Sequence, residues 1–231
     1  MPQAVLFDMF ETLITHYGAP LYFGTEMAAE AGVAAEVFLP LWRRTDDDRT
    51  LGRRRLEDVL EELYRSLGCY SPALVDGQVQ KRKASKQECF RHLHPEILPM
   101  LSGLRQRGMR VGLISNCYFE EAEVIRQSPL FPCFDAVMLS CEQGVMKPDP
   151  EIFRRCTDAL GVTPGQCLYV GDGGSRELET ARSLGMTTVQ AVWYLLEGST
   201  QPCQRKAEFP AAERPMDVVR MAEEMCIRHK S

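Results

Sequence analysis

Along the chain, short uninterrupted apolar runs alternate with longer stretches in which apolar residues return every three or four positions. The runs are Ala4–Phe7, Arg110–Ile114, Ala136–Leu139, Gln166–Val170 and Thr187–Val192. Continuous apolar runs of this length suit strands buried on both faces of a parallel sheet. Between them, Glu120–Gln127, Pro150–Leu160 and Arg176–Leu184 carry helical spacing; Pro148 and Pro150 suit a helix start, and Gly161 and Gly185 suit helix ends. Each connection is long enough to cross over and return in parallel. The pattern therefore predicts an α/β fold, a Rossmann-like parallel sheet with flanking helices.

Residues 15 to about 95 break this rhythm. Gly24–Ala31, Ala35–Arg44, Arg55–Leu67 and Leu74–Leu93 are helix-like, with no convincing strand among them. The reading is an inserted helical cap domain over 15–95 and an α/β core from 1–14 and 96–231. An insertion at this point stands over the end of the first strand, where it can act as a lid. Pro95–Pro99 reads as the return linker and Met100–Gly108 as a helix feeding the second strand. Gly198–Glu208 is polar and proline-containing, and Pro215–Ile227 reads as a final amphipathic helix.

Composition narrows the function classes. The 231 residues include 45% hydrophobic ones, ordinary for a packed core, and carry a formal net charge of −5. That balance argues against nucleic acid or an anionic membrane as partner, since both reward an excess of Lys and Arg. The basic runs Arg53-Arg54-Arg55 and Lys81-Arg82-Lys83 sit beside acidic residues and read as solvated helix faces. The first residues lack the features of a secretory signal, and no apolar run approaches the ~20 residues that span a bilayer, so a cytoplasmic location is expected. The nine cysteines are odd in number and contain no C-x-x-C pair, which fits reduced thiols. Cys133 and Cys167 read as small core fillers and Cys117 as a bystander.

The candidate chemistry follows the apolar runs, because ligands of an open parallel sheet gather at the carboxyl ends of its strands. The first run delivers Asp8, with Thr12 four positions later; the second is followed by Ser115 and Asn116. After the third comes Lys147 in Gly144-Val145-Met146-Lys147-Pro148-Asp149-Pro150, and after the fourth Gly171-Asp172-Gly173-Gly174-Ser175 with Glu177 beyond. A carboxylate nucleophile, a hydroxyl and an amide to hold oxygens, a lysine to offset developing charge and carboxylates for a hard cation are the parts of phosphoryl transfer. Taken singly each has a bland reading: a strand-end Asp caps helices, and Ser-Asn and Gly-Asp-Gly-Gly are common turns. Their joint order carries the inference.

As a set, Phe7-Asp8-Met9-Phe10-Glu11-Thr12-Leu13, Leu113-Ile114-Ser115-Asn116, Lys147-Pro148-Asp149-Pro150-Glu151-Ile152-Phe153 and Val170-Gly171-Asp172 with Glu177-Leu178-Glu179-Thr180-Ala181 resemble the motifs of the haloacid dehalogenase superfamily of hydrolases. Within it, the chain is similar to the subfamily with a helical cap after the first motif. The resemblance implies that Asp8 is the nucleophile and that Mg2+ is held by Asp8, the Phe10 backbone carbonyl, Asp172 and Glu177. It further implies that Thr12, Ser115 and Asn116 bind the transferred group and that Lys147 steadies both that group and Asp8. The implied substrate is a small phosphorylated, anionic metabolite. Oxygen-only ligands completed by water also suit magnesium on physical grounds.

One position departs from the resemblance. Phosphatases of this family carry a second aspartate two residues after the nucleophile, as general acid and then base, and here Phe10 stands there. Such a group is typically worth ~10²–10⁴ in rate. Glu11 and His16 are candidate stand-ins, whereas His92 and His94 read as local packing. An aromatic at position 10 also resembles the L-2-haloacid dehalogenases, as does Leu41-Trp42-Arg43, where Arg43 matches their anion-binding arginine. Against this, Phe153 replaces their tyrosine, Asp172 their serine and Gly174 their asparagine. Asp172 and Glu177 would crowd negative charge around Asp8 without a cation, which favours a metal enzyme. A third alternative is a phospho-ligand-binding protein without turnover. Arg44, Arg53 and Arg54 join Arg43 as candidates to meet an anionic substrate, and Lys81, Lys83 and Lys86 lie in the last cap helix without the signature of a Schiff-base lysine.

Overall fold

All five apolar runs fold as strands, displaced by no more than one residue from the predicted limits: β1 Ala4–Phe7, β2 Arg110–Ser115, β3 Ala136–Leu139, β4 Cys167–Gly171 and β5 Thr187–Ala191. The computed structural model describes residues 2–196 and 203–228, with side chains as far as residue 224. Part of the polar stretch Gly198–Glu208 thus lies outside the described residues. A sixth strand, β6 Ala211–Ala212, pairs with β5. It went unpredicted because two alanines between Pro210 and Glu213 carry no readable period.

The sheet is parallel throughout, in the order β3-β2-β1-β4-β5-β6. The chain therefore moves outward from β1 through β2 to β3, then crosses back to place β4 on the other side of β1. That reversal creates a switch point between β1 and β4, where the loops diverge and leave room for a ligand.

Six α-helices separate β1 from β2, and the first five lie within residues 15–95: α1 Gly24–Glu30, α2 Ala35–Arg43, α3 Asp46–Thr50, α4 Leu56–Ser66 and α5 Pro72–Cys89. Of these, α1, α2, α4 and α5 share an apolar cluster of their own, with Met27, Phe38, Trp42, Leu60, Tyr64 and Val79 among its members. The short α3 was not predicted, since Asp46-Asp47-Asp48 has no apolar period; its three acids stand in the first turn, where the helix dipole favours them.

The remaining helices cover the sheet: α6 Ile97–Gln106, α7 Phe119–Gln127, α8 Ser140–Gln143, α9 Pro150–Leu160, α10 Glu177–Ser183 and α11 Pro215–Arg228. Alternation along β1 assigns the two faces. Val5 and Phe7 pack toward α6, α7 and α11, while Ala4 and Leu6 pack toward α9 and α10. Asp149 caps α9 through a bond from Glu151 N, Pro150 occupies its first turn, and Gly161 closes it with φ 63°. The predicted linker Pro95–Pro99 is shorter than expected. Helix α6 already begins at Ile97, because Pro99 in a first turn forfeits no hydrogen bond.

One prediction is overturned. Lys81-Arg82-Lys83 is not a solvated face: Arg82 is 3% exposed, and its Nε donates to Glu120 Oε1 on α7 at 3.1 Å. Lys86 Nζ, one turn further along α5, lies 3.1 Å from Glu121 Oε1. Only Lys81 and Lys83 reach outward, to Glu30 and Glu123. Among the described residues no helix is long and apolar enough to cross a membrane.

Candidate active site

The parallel ladder continues one residue past β1, where Asp8 N donates to Val170 O at 2.9 Å. This bond holds the Asp8 carboxylate beside the end of β4. Lys147 Nζ donates to Asp8 Oδ1 at 2.5 Å and also to Glu177 Oε2. All three groups are buried. Lys147 is itself clamped by Asn116, whose Oδ1 accepts from Lys147 N at 2.8 Å and whose Nδ2 donates to Lys147 O at 2.9 Å. Asn116, proposed from sequence to bind substrate, thus holds the lysine's backbone and also lines the adjoining cavity.

Glycines set the fourth loop. A Cβ on Gly171 would stand 2.2 Å from Glu177 Oε1, so only glycine lets that carboxylate close on the strand end. Gly173 N donates to Glu177 Oε1 at 3.2 Å, and Gly174 N donates to Asp172 Oδ1 at 2.9 Å. Carboxylate oxygens of Asp8, Asp172 and Glu177 all lie within 4.8 Å of one another.

Three carboxylates around one ammonium make an unbalanced site. Burial, then the neighbouring Glu177, pushes Asp8 up to about 7 against the pull of Lys147. Burial, Glu177 and Asp8 push Asp172 up to about 8. Burial would lower the Lys147 ammonium, but Asp8 and Glu177 outweigh it and hold the proton on. Fully ionised, the cluster would carry two negative charges beyond what Lys147 cancels, on oxygen donors alone. This donor set fits a hard divalent cation.

Not every predicted residue faces the substrate side. Thr12 is fully buried; its Oγ1 stands 3.5 Å from Asp8 Oδ2, and its carbonyl accepts from Trp193 Nε1 at 2.9 Å. Ser115 is buried at the end of β2, and its Oγ has no hydrogen-bond partner among the described residues. Arg43 is exposed and lines the cavity. Arg53 and Arg54 pair instead with Asp48 and Glu62.

The cavity measures about 770 Å³ and opens between Lys147 and the helices that precede β2. Part of its wall is the Phe10 ring, stacked on His16 at 4.6 Å between centroids and 19° between planes. Lys86 Nζ, 3% exposed, approaches His16 Nδ1 to 3.1 Å. Burial, then Lys86 and Arg82, drives the imidazole down to about 3 despite Glu121, so His16 is neutral near pH 7 and holds no imidazolium proton to give. Glu11 is turned away as well. Its backbone is left-handed with φ 58°, and its carboxylate accepts from Thr15 Oγ1 at 2.7 Å and His16 N at 2.9 Å.

Sequence reading missed a buried arginine held against two residues of the cavity lining, Trp42 and Tyr118. Arg49, 1% exposed, lies between the rings of Trp42 and Tyr118, at 3.7 and 4.1 Å from their centroids, and joins α2 to the loop after β2. Cys117, beside Asn116, is buried with its Sγ 4.0 Å from Cys141 Sγ, and Cys167 is a fully buried core filler. His92 makes a local contact to Glu88, whereas His94 accepts from Glu96 N and also meets Tyr194, whose hydroxyl accepts from His94 N at 2.9 Å and whose ring stands edge-on to the imidazole.

Comparison with known proteins agrees with this geometry. The glyceraldehyde 3-phosphate phosphatase of Methanopyrus kandleri is 30% identical over 206 residues, covering 82% of this chain and 84% of that protein. Among solved structures, the 2-haloacid dehalogenase of Pseudomonas syringae superposes with a TM-score of 0.72 at 20% identity, over 97% of this chain and 100% of that one. A HAD phosphatase of Thermococcus onnurineus gives 0.64 at 21% identity, over 95% and 97%. These structures share the fold. The profile of the haloacid dehalogenase-like hydrolases matches residues 2–185, and the chain belongs to that family.

Proposed function

We propose that the protein is a magnesium-dependent phosphatase that hydrolyses a small phosphomonoester through a covalent intermediate on Asp8. The observation that carries this reading is the buried cluster of Asp8, Asp172 and Glu177 around Lys147, at the switch point of the sheet. Asp8, Asp172, Glu177 and the Phe10 carbonyl would hold Mg2+, which supplies positive charge to the phosphoryl oxygens and keeps the carboxylates ionised. Lys147 shares that task and keeps Asp8 aimed. An Asp8 carboxylate oxygen attacks phosphorus, the P–O bond to the leaving group breaks, and water then cleaves the aspartyl phosphate to phosphate and free Asp8. Ser115 and Asn116 stand at the end of β2 for the transferred oxygens. We further assign residues 15–95 as a cap that shapes the substrate end of the cavity, with Arg43 facing an anionic substrate. The unpaired thiols suit a cytoplasmic location.

Both half-reactions proceed without a carboxylate at position 10. The leaving oxygen therefore departs with little help from a side-chain acid, and the enzyme favours leaving groups that are stable as anions, such as aryl and acyl phosphates. Purified protein is expected to hydrolyse p-nitrophenyl phosphate only with magnesium, and Asp8→Asn to lower turnover by at least about 10³-fold. Phe10 and the dehalogenase-like fold favour one second reading, carbon–halogen hydrolysis. Chloride release from 2-chloropropionate in the presence of EDTA would establish that reading instead.

A further inference from the structure

Gln190 lies in β5 and is fully buried, yet its side chain spends every polar atom on backbone. Nε2 donates to the carbonyls of Asp172 at 2.8 Å and Gln204 at 3.0 Å, and Oε1 accepts from Lys206 N at 2.8 Å. The Cys203 thiol donates to the same Asp172 carbonyl at 2.8 Å. The two segments also touch directly. A Cβ on Gly173, which has φ 91°, would meet Cys203 Sγ at 3.3 Å and Lys206 Cε at 3.1 Å, and Lys206 Nζ reaches Glu179 at 2.5 Å. One amide thus fastens the loop carrying Asp172 to the strip at 203–206. A buried primary amide is costly unless all its hydrogen bonds are made, and here they are made where the carboxylate cluster hangs from the sheet.

We propose that Gln190 is a positioning residue for that cluster: it fixes the Asp172 peptide, and through it the aim of the Asp172 carboxylate toward Asp8 and Glu177. The inference rests on the magnesium reading given above. Groups behind the ligands typically tune cation affinity 10- to 100-fold without touching the ion. A residue that merely packs would instead change stability and leave affinity alone.

Two variants separate these roles. Gln190→Glu keeps the shape and the acceptor for Lys206 N but sets an oxygen against two carbonyls, whereas Gln190→Met keeps the length and removes all three bonds. Titration calorimetry with magnesium chloride alone, on protein whose folding is checked by thermal unfolding, reads the effect without turnover. The expected result is a magnesium Kd raised by about 10-fold or more in both variants. The magnesium concentration for half-maximal turnover should rise in proportion, and kcat at saturating magnesium should fall by a smaller factor. Lowered Tm with wild-type Kd overturns the proposal. Should neither variant fold, Cys203→Ala removes one of the two donors to the Asp172 carbonyl; a raised Kd then supports the proposal and an unchanged one overturns it. Wild-type protein that binds no magnesium overturns the cation reading and this inference together, whereas binding that survives every variant overturns this inference alone.

Discussion

At position 10 a single side chain sets this chain apart from the motif it otherwise resembles. The Phe10 ring lines the cavity and rests on His16, which is neutral near pH 7 and holds no imidazolium proton to give. Restoring a carboxylate there tests what the ring displaces. Phe10→Asp is expected to raise kcat for an alkyl phosphate such as glycerol 3-phosphate by about 10- to 100-fold, within the range of general acid catalysis. The gain for p-nitrophenyl phosphate, whose leaving group needs no acid, should be much smaller; equal gains on both substrates would refute the assignment. Asp8, Lys147, Asp172 and Glu177 were legible in the sequence because Asp8 and Asp172 directly follow β1 and β4, while Lys147 and Glu177 stand a few residues further on, just after α8 and at the start of α10. Lys86 and Gln190 were not. Lys86 meets His16 across 70 residues of sequence, and Gln190 reads as one more strand residue until β5 is placed beside β4.

At the scale of elements, strands were easier to read than helix contacts. Continuous apolar runs between glycine and proline breaks leave little choice of limits, whereas β6 and α8 are too short to show a period. The basic run in α5 misled for a physical reason. Helical periodicity shows that Arg82 and Lys86 share a face, but nothing local reveals that Glu120 and Glu121 of α7 stand opposite. Because both partners are desolvated, Arg82→Met should cost about 3–5 kcal/mol in urea unfolding, the usual result of stranding a buried charge. Paired replacement, Arg82→Met with Glu120→Leu, should recover much of that loss. A single-variant cost below about 1 kcal/mol would show that α5 and α7 hold together by other means.

For the whole molecule, the carboxylate cluster links stability to both pH and cation. Asp8 and Asp172 are raised to about 7 and about 8, so the folded state retains protons that the unfolded chain releases at lower pH. Their contribution is complete below the ordinary carboxylate range and is lost as pH rises through those values. In EDTA the Tm should therefore fall between pH 5 and pH 8, and magnesium should raise it more at pH 8, where the carboxylates are free to bind. An increment that is equal at both pH values would separate the cluster from the cation. The charged seam between α5 and α7 has a further mechanical consequence. Water entering an apolar seam gains nothing, but water entering a seam of ions hydrates each charge as its partner departs. Parting the helical segment from α7 therefore costs less than parting an apolar interface of the same area. Dissolved salt, which screens the ions as they emerge, should therefore ease the separation of α5 from α7.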